Sequence, residues 1–334
     1  MLRVAGHGLL LVALLWGCGE TEVSEEPPAF VVVTFNTGTN DGLGHDLPPD
    51  DGYSSVEAAY SDQYYGDGLA WTAVIEDVRA FFAETRADIV AFQEIFHPED
   101  CAAVPLEARA GFICEDWNAG DPTVAQRVVD EGFQVACHVG KPDKCVAVRT
   151  SFGRFAGCDG ELCLEGLVGS EVPDCGSGAR VGWGVIDLVA GGSLTIVNVH
   201  GTSGIEPADM SCRLAQFRQV FVDAGDGMPA ARGERNVVLG DLNTDPIRAV
   251  DFDPSAQEWS QHVGAGKPFH YITAAGVDAT PSYAGLFNID HVVSDAFEGS
   301  CWVAGITEGH PAVTATVYFD HKPAVCRLPD RLAP

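Results

Sequence analysis

The feature of this sequence that most restricts its fold is a succession of short, dense apolar runs, each ending in a polar side chain. Residues 30–36 read FVVVTFN and residues 88–94 read DIVAFQE. Runs of this length, rich in β-branched and aromatic residues, are strands buried on both faces. Residues 133–139 and 145–151 flank the turn Gly140-Lys141-Pro142-Asp143, and residues 184–190 and 193–200 flank Gly191-Gly192, a hairpin signal. Residues 237–243, 269–273, 289–294, 302–306 and 314–319 supply further strands.

Helical spacing is scarcer. Leu69, Trp71, Val74, Ile75, Val78, Phe81 and Phe82 mark an amphipathic helix over 69–86, and 207–224 reads as a helix with Pro207 in its first turn. Residues 37–68 read as a long loop and 97–132 show no clean period. Helices this few cannot cover both faces of one doubly wound parallel sheet. The pattern indicates an α/β fold of two mixed sheets packed on each other, with helices outside. The 334 residues, 46% hydrophobic, show neither a linker nor an internal repeat, so one catalytic domain over 30–328 is expected, with Cys-rich insertions at about 97–180.

The first 29 residues read differently. Arg3 is the only formal charge before Glu20, and residues 9–16 (LLLVALLW) form an apolar run too short to span a bilayer as a mature helix. Residues 1–17 are therefore expected to be a signal peptide. Leu15-Trp16-Gly17-Cys18 resembles a bacterial lipobox with Cys18 as the lipidated residue; the alternative is an ordinary signal peptide and plain secretion, since Trp16 is bulky for its position. Residues 18–29 are acidic and Pro-containing, and read as a flexible tether. Setting Cys18 aside leaves ten of the eleven cysteines, an even number that suits disulfides in an exported chain. Sequence alone does not determine their connectivity, but local pairs such as Cys101–Cys114, Cys137–Cys145 and Cys158–Cys163, with Cys301–Cys326 across C-terminal strands, are expected. No CxxC pair supports a zinc site.

The formal net charge is −29. So acidic a field repels polyanions unless cations intervene, which argues against tight non-specific nucleic-acid binding. It does not exclude catalysis on DNA, because a bound divalent cation reverses the local sign.

Chemistry-bearing residues gather at strand ends. Asn36 closes the first strand and Gln93-Glu94 the second. Asn198 and His200, Asp241 and Asn243, and Asn288 and Asp290 are each two apart, so each pair faces one side of its strand. Asp320-His321 precedes Lys322-Pro323. Carboxylates with Asn amide oxygens are hard ligands for Mg²⁺, Mn²⁺ or Ca²⁺, and histidines backed by Asp suit proton transfer and phosphate binding.

Taken in order, TFNTG, ADIVAFQEIF, TIVNVHGTSG, VVLGDLNTDP, FNIDHVVSD and YFDHKPAV resemble the motifs of the endonuclease/exonuclease/phosphatase (deoxyribonuclease I-like) family, from about Phe30 to Leu328. The resemblance implies a four-layered α/β sandwich with two central mixed β-sheets flanked by helices. It also implies roles. Glu94 matches the principal metal-ligating glutamate, with Asn36 beside it and Asp320 as a second metal-side carboxylate. His200 matches the histidine that contacts phosphate or assists the leaving group. Asp241 and Asn243 match the residues that orient the attacking water and the phosphate, and Asp290 the aspartate supporting the final histidine, His321. Asp241 and His321 both remain open as the formal base. The implied cofactor is a divalent cation, Mg²⁺ first, with Mn²⁺ or Ca²⁺ as alternatives.

Other polar residues carry simpler readings. Gln93 should face away from an inward Glu94. Asn198 either orients His200 or bonds backbone. Asp245-Pro246 is turn chemistry, and His291 is structural. His138, His262, His270 and His310 have no motif support. Asp41, Asp46, Asp50 and Asp51 read as a solvated acidic loop. Arg149, Arg180 and Arg213 are candidates for phosphate contact, with salt bridges the simpler expectation. The expected function is a metal-dependent phosphodiesterase outside the cytoplasm, acting on nucleic acid or a phospholipid headgroup. Nuclease stands slightly ahead of sphingomyelinase, which would need an exposed apolar hairpin. A phosphomonoesterase of sugar or inositol phosphates and a catalytically inactive surface binding protein are the alternatives. Membrane association through lipidated Cys18 is expected, and no obligate protein partner is evident.

Overall fold

Alternation along each strand decides which residues meet. In the computed structural model, which describes residues 29–40, 45–46, 52–315 and 317–329, the expected signal peptide, Cys18, most of the tether, and Asp41, Asp50 and Asp51 lie outside the described residues. In chain order the elements are β1 (Ala29–Asn36), α1 (Ser55–Tyr60), α2 (Thr72–Thr85), β2 (Ile89–Gln93), α3 (Val124–Val129), β3 (Phe133–His138), β4 (Cys145–Arg149), β5 (Gly153–Phe155), β6 (Leu162–Leu167), β7 (Val181–Leu188), β8 (Ser193–His200), α4 (Pro207–Phe221), β9 (Asn236–Asp241), α5 (Pro254–His262), β10 (His270–Tyr271), β11 (Asp290–Ser294), β12 (Ser300–Val303) and β13 (Ala324–Pro329). Short 3₁₀ turns and one π-helical turn, Ser61–Tyr65, lie between them.

The strands form two mixed sheets, ordered β12-β13-β1-β2-β4-β3-β6 and β10-β11-β9-β8-β7-β5. Phe30, Val32, Ile89, Ala91 and Val146 of the first sheet pack against Ile196, Val237, Leu239 and Val292 of the second. The alternate residues face outward. Val33, Phe35, Val90 and Phe92 pack under Val74, Ile75, Val78 and Phe82 of α2. Val197, Val199, Val238 and Val293 pack under Phe217 and Val220 of α4 and Trp259 of α5. Helix, sheet, sheet and helix give the four layers, as expected. Among the described residues no helix is long and apolar enough to cross a membrane.

Five disulfides close, the four expected pairs and Cys175–Cys212, which ties the 153–180 segment to α4. Two join directly opposed strand residues, Cys137 with Cys145 and Cys301 with Cys326. Five such bonds mark a chain that folds in an oxidising environment.

The differences from expectation are local. Among the described residues of 314–319 there is no strand; Phe319 makes an isolated bridge to Thr39, and the last strand of the sheet is β13. The 37–68 segment contains α1, started by a capping box in which Ser54 and Glu57 satisfy each other's backbone N–H groups. Helix α5 also escaped the periodicity, although Asp253-Pro254 is an N-cap followed by proline at the first helical position.

Candidate active site

The same parity that builds the apolar interior turns polar at one end of it. Asn36 continues the inward face of β1, Gln93 that of β2, Asn198 and His200 that of β8, Asp241 that of β9, and Asp290 that of β11. Pairing aligns them: Asn36 opposes Gln93, and Asp241 opposes both His200 and Asp290. The close approach of β8 and β9 requires glycine at position 240, where φ is +142° and a Cβ would overlap the Val199 carbonyl.

Asp241 is the hub. Its Oδ2 accepts from Asn36 Nδ2 at 3.0 Å and Asn243 Nδ2 at 2.9 Å, and its Oδ1 from the Asn243 backbone N–H at 2.7 Å. Asn243 adopts a left-handed conformation, which asparagine tolerates. Both histidines stand with Nε2 at 3.8 Å from Asp241 Oδ2. Burial raises the Asp241 pKa, with the Asp290 charge adding and the histidines opposing. His321 Nδ1 lies 2.8 Å from Asp290 Oδ2, which fixes Nε2 toward Asp241. Burial opposes the imidazolium, yet the charges of Asp290 and Asp241 outweigh it and raise its pKa to about 10. The Asp320-His321 loop is pinned by a bridge from Tyr283 to His321 and by the Ala284 N–H on the Asp320 carbonyl.

A second set of oxygens converges beside this network. A Cβ at Gly38 would abut the Glu94 carboxylate and lie 3.2 Å from Asn36 Oδ1 and 3.3 Å from Asp320 Oδ1. Asp320 Oδ1 is buried without a hydrogen bond. Burial, with Glu94 and Asp241 nearby, raises the Asp320 pKa to about 7. At Glu94 burial opposes the charge, but the hydrogen bond and charge of His200 prevail and lower its pKa to about 2. Converging hard oxygens, one of them orphaned, fit a divalent cation. Atoms of Asp241, Asp290 and His321 also lie within 4.8 Å of one another. That cluster is a poorer cage, because Asp290 already binds His321 and Asp241 is held by two asparagines.

All eight residues singled out from the sequence therefore meet at one end of the sandwich. Glu94 does so by departing from alternation: its φ of +58° lets Gln93 and Glu94 both face the interior, against expectation. Gln93 bonds Asn198 at 2.7 Å, and Asn198 also bonds the Phe92 carbonyl, so Asn198 bonds backbone and Gln93 and makes no bond to His200. Asp245 accepts turn N–H bonds and His291 is held by Thr273, both as expected. Arg149 and Arg213 make ion pairs with Asp88 and Asp253.

Two features of the cleft had no motif to reveal them. On the Glu94 and His200 side, a cavity of about 330 Å³ runs toward Lys141, Asp143 and Arg180. On the Asn243 side, an apolar groove of about 660 Å³ is lined by Ile205, Phe252, Tyr283 and Phe287. Tyr283 and Phe287 close a short antiparallel turn whose Leu286 and Phe287 are 67% and 43% exposed.

Residues 33–310 match the Endonuclease/Exonuclease/phosphatase family. Among solved structures, the chain resembles the APE2 catalytic domain of Xenopus laevis (TM-score 0.51, 14% identity, 90% of this chain and 92% of that one). It also resembles D. rerio TDP2 complexed with single strand DNA product (TM-score 0.51, 12% identity, 90% and 98%). An endonuclease/exonuclease/phosphatase from Beutenbergia cavernae DSM 12333 matches with TM-score 0.49 and 16% identity over 90% of this chain and 71% of that one. At these identities the likeness is one of fold. No curated protein sequence matches.

Proposed function

This chain belongs to the endonuclease/exonuclease/phosphatase family, whose members are metal-dependent phosphoester hydrolases, and on that premise we propose that it is an exported phosphodiesterase. The observation that carries the proposal is the meeting of the Asn36, Glu94 and Asp320 oxygens with the buried Asp290–His321–Asp241 network at one strand-end cleft. Asn36, Glu94 and Asp320 would hold the cation, Mg²⁺ first and Mn²⁺ or Ca²⁺ as alternatives. When bound there, a divalent cation neutralises charge on the phosphoryl oxygens.

The chain's own residues perform the remaining steps. Asp241, whose burial raises its proton affinity, orients the attacking water and takes its proton. Asn243 and His200 hold phosphoryl oxygens, and His200 assists the leaving oxygen as its bond to phosphorus breaks. His321, oriented and kept cationic by Asp290, donates to the phosphoryl group as negative charge builds there. Residues 1–17 act as a signal peptide, Cys18 as a lipid anchor and 18–29 as a tether to the catalytic domain over 30–328.

Among diesters, nucleic acid is the leading substrate. TDP2, a protein of the same fold, is seen with single strand DNA product. A phospholipid headgroup is the second reading, favoured by the exposed Leu286 and Phe287 beside Asn243. The test is hydrolysis of bis(4-nitrophenyl) phosphate by the mature protein with Mg²⁺, Mn²⁺, Ca²⁺ or chelator, followed by DNA and sphingomyelin side by side. Metal-dependent turnover is expected. A folded protein that cleaves no diester with any metal overturns the proposal, and exclusive lipid cleavage reverses the substrate order.

A further inference from the structure

In a chain of net charge −29 with four lysines, cations should be neutralised by nearby acids. Around the cleft one is not. Arg180 directly precedes β7, where Val181 opposes Val199 of β8, and the His200 N–H donates to the Arg180 carbonyl at 2.9 Å. Arg180 thus stands directly across from His200, and opposed residues project to the same side with Cβ atoms about 5 Å apart. Its side chain lines the cavity that Glu94 and His200 also line. Its Nε is buried without a hydrogen bond, and among the described residues no carboxylate forms an ion pair with the guanidinium. Acids are not lacking, for Asp67, Asp100 and Asp143 line the same cavity. Asp143 is engaged by Lys144 and by Lys141, the latter at 2.7 Å.

Two of the four lysines therefore crowd the same corner. Lys144 is buried, and burial, with Lys141 and Arg180 nearby, lowers its pKa to about 8. Disulfide Cys137–Cys145 closes the β3–β4 turn that carries both lysines, and Cys175–Cys212 anchors the segment that leads into Arg180. The corner is held in place and brings Lys141, Lys144 and Arg180 together. A guanidinium with unused donors binds a phosphate well.

We propose that Arg180, with Lys141 at its rim, forms a subsite for a second phosphate of the substrate, next to the scissile one on the His200 side. This rests on the diesterase reading and narrows the substrate to one with a neighbouring phosphate, as in a nucleic acid strand. An overall repulsive field with one small cationic subsite selects a short anionic stretch threaded through the cleft. It does not suit a broad duplex surface, which needs many neutralised phosphates.

The test uses a matched pair, thymidine 5′-(4-nitrophenyl phosphate) with and without a 3′-phosphate. The wild-type protein is expected to prefer the 3′-phosphorylated member through a lower KM. Arg180→Gln should lose about tenfold in that preference, a cost of the size of one charge-assisted contact. Arg180→Lys should recover part of it. On a single-stranded oligonucleotide, Arg180→Gln should flatten the slope of log(kcat/KM) against log salt by about 0.7, the value of one phosphate contact. Wild-type cleavage of both members without preference, or equal losses on both in Arg180→Gln, overturns the subsite while the diesterase reading stands. Cleavage of neither member by wild type removes the diesterase reading itself.

Discussion

At the residue scale, environment rather than residue type separates the histidines. His321 is buried, which opposes its charge, but Asp290 and Asp241 beside it outweigh burial and keep it a cation. His321→Ala is expected to lower kcat by about 10²–10⁴-fold without loss of fold, read by single-turnover kinetics beside circular dichroism. Asp290→Asn should lower kcat in the same direction, because it removes the charge that orients and stabilises the imidazolium. His138 is buried without a carboxylate bond. Burial, with the Lys144 charge nearby, lowers its pKa to about 3. The unfolded chain takes up a proton near pH 6.5 that the folded state refuses, so stability is full above about pH 6.5 and falls as pH drops toward 3. His291, lowered to about 4 by burial, acts in the same direction. Urea denaturation at pH 7.5 and 5.0 should show a smaller acid loss in His138→Gln than in wild type; equal losses would assign the effect elsewhere.

At the element scale, the site depends on how strands end. Gly240 lets β9 run close enough to β8 to bring Asp241 beside His200. Gly240→Ala should destabilise by at least about 1–3 kcal/mol, the cost of a forced backbone conformation, in equilibrium unfolding. Helix α5 is tied to α4 by the buried pair Asp253–Arg213, in which Asp253 also accepts from Ser255 and Thr244. Asp253→Ala leaves Arg213 buried and unpaired, and a loss of about 3–5 kcal/mol is expected by the same measurement. A loss below 1 kcal/mol would mean that water reaches Arg213 once Asp253 is gone.

At the scale of the whole molecule, five disulfides tie together a chain of net charge −29. Cys175–Cys212 spans 37 residues, and closing a loop of that length is worth about 4 kcal/mol in the chain-entropy view. Replacing both cysteines by serine should lower unfolding stability by about 2–4 kcal/mol. Clustered carboxylates at Gly38 predict that millimolar Mg²⁺ or Ca²⁺ raises the thermal midpoint, since a cation that binds only the folded state stabilises it. Glu94→Gln should remove most of that shift. A full shift in the variant would place the cation elsewhere.

The layers and the residues that gather at the cleft are legible in the pattern of apolar and polar side chains. Period-2 alternation assigns Phe30, Val32, Ile196 and Leu239 to one interior, and the same parity carries Asn36, His200, Asp241 and Asp290 to its edge, because a pleated chain has no other way to place them. Local disulfides were legible for a similar reason, as short loops can hardly avoid closing. The tertiary structure alone decided the rest. The left-handed turn at Glu94 breaks alternation, and no propensity forecasts a strained glutamate. The described residues of 314–319 have strand composition, yet β13 and not this segment takes the place beside β1. Arg180 was one of three arginines open to phosphate contact, with a salt bridge the simpler expectation. Only the pairing of β7 with β8 sets it opposite His200, with no ion pair to a carboxylate among the described residues.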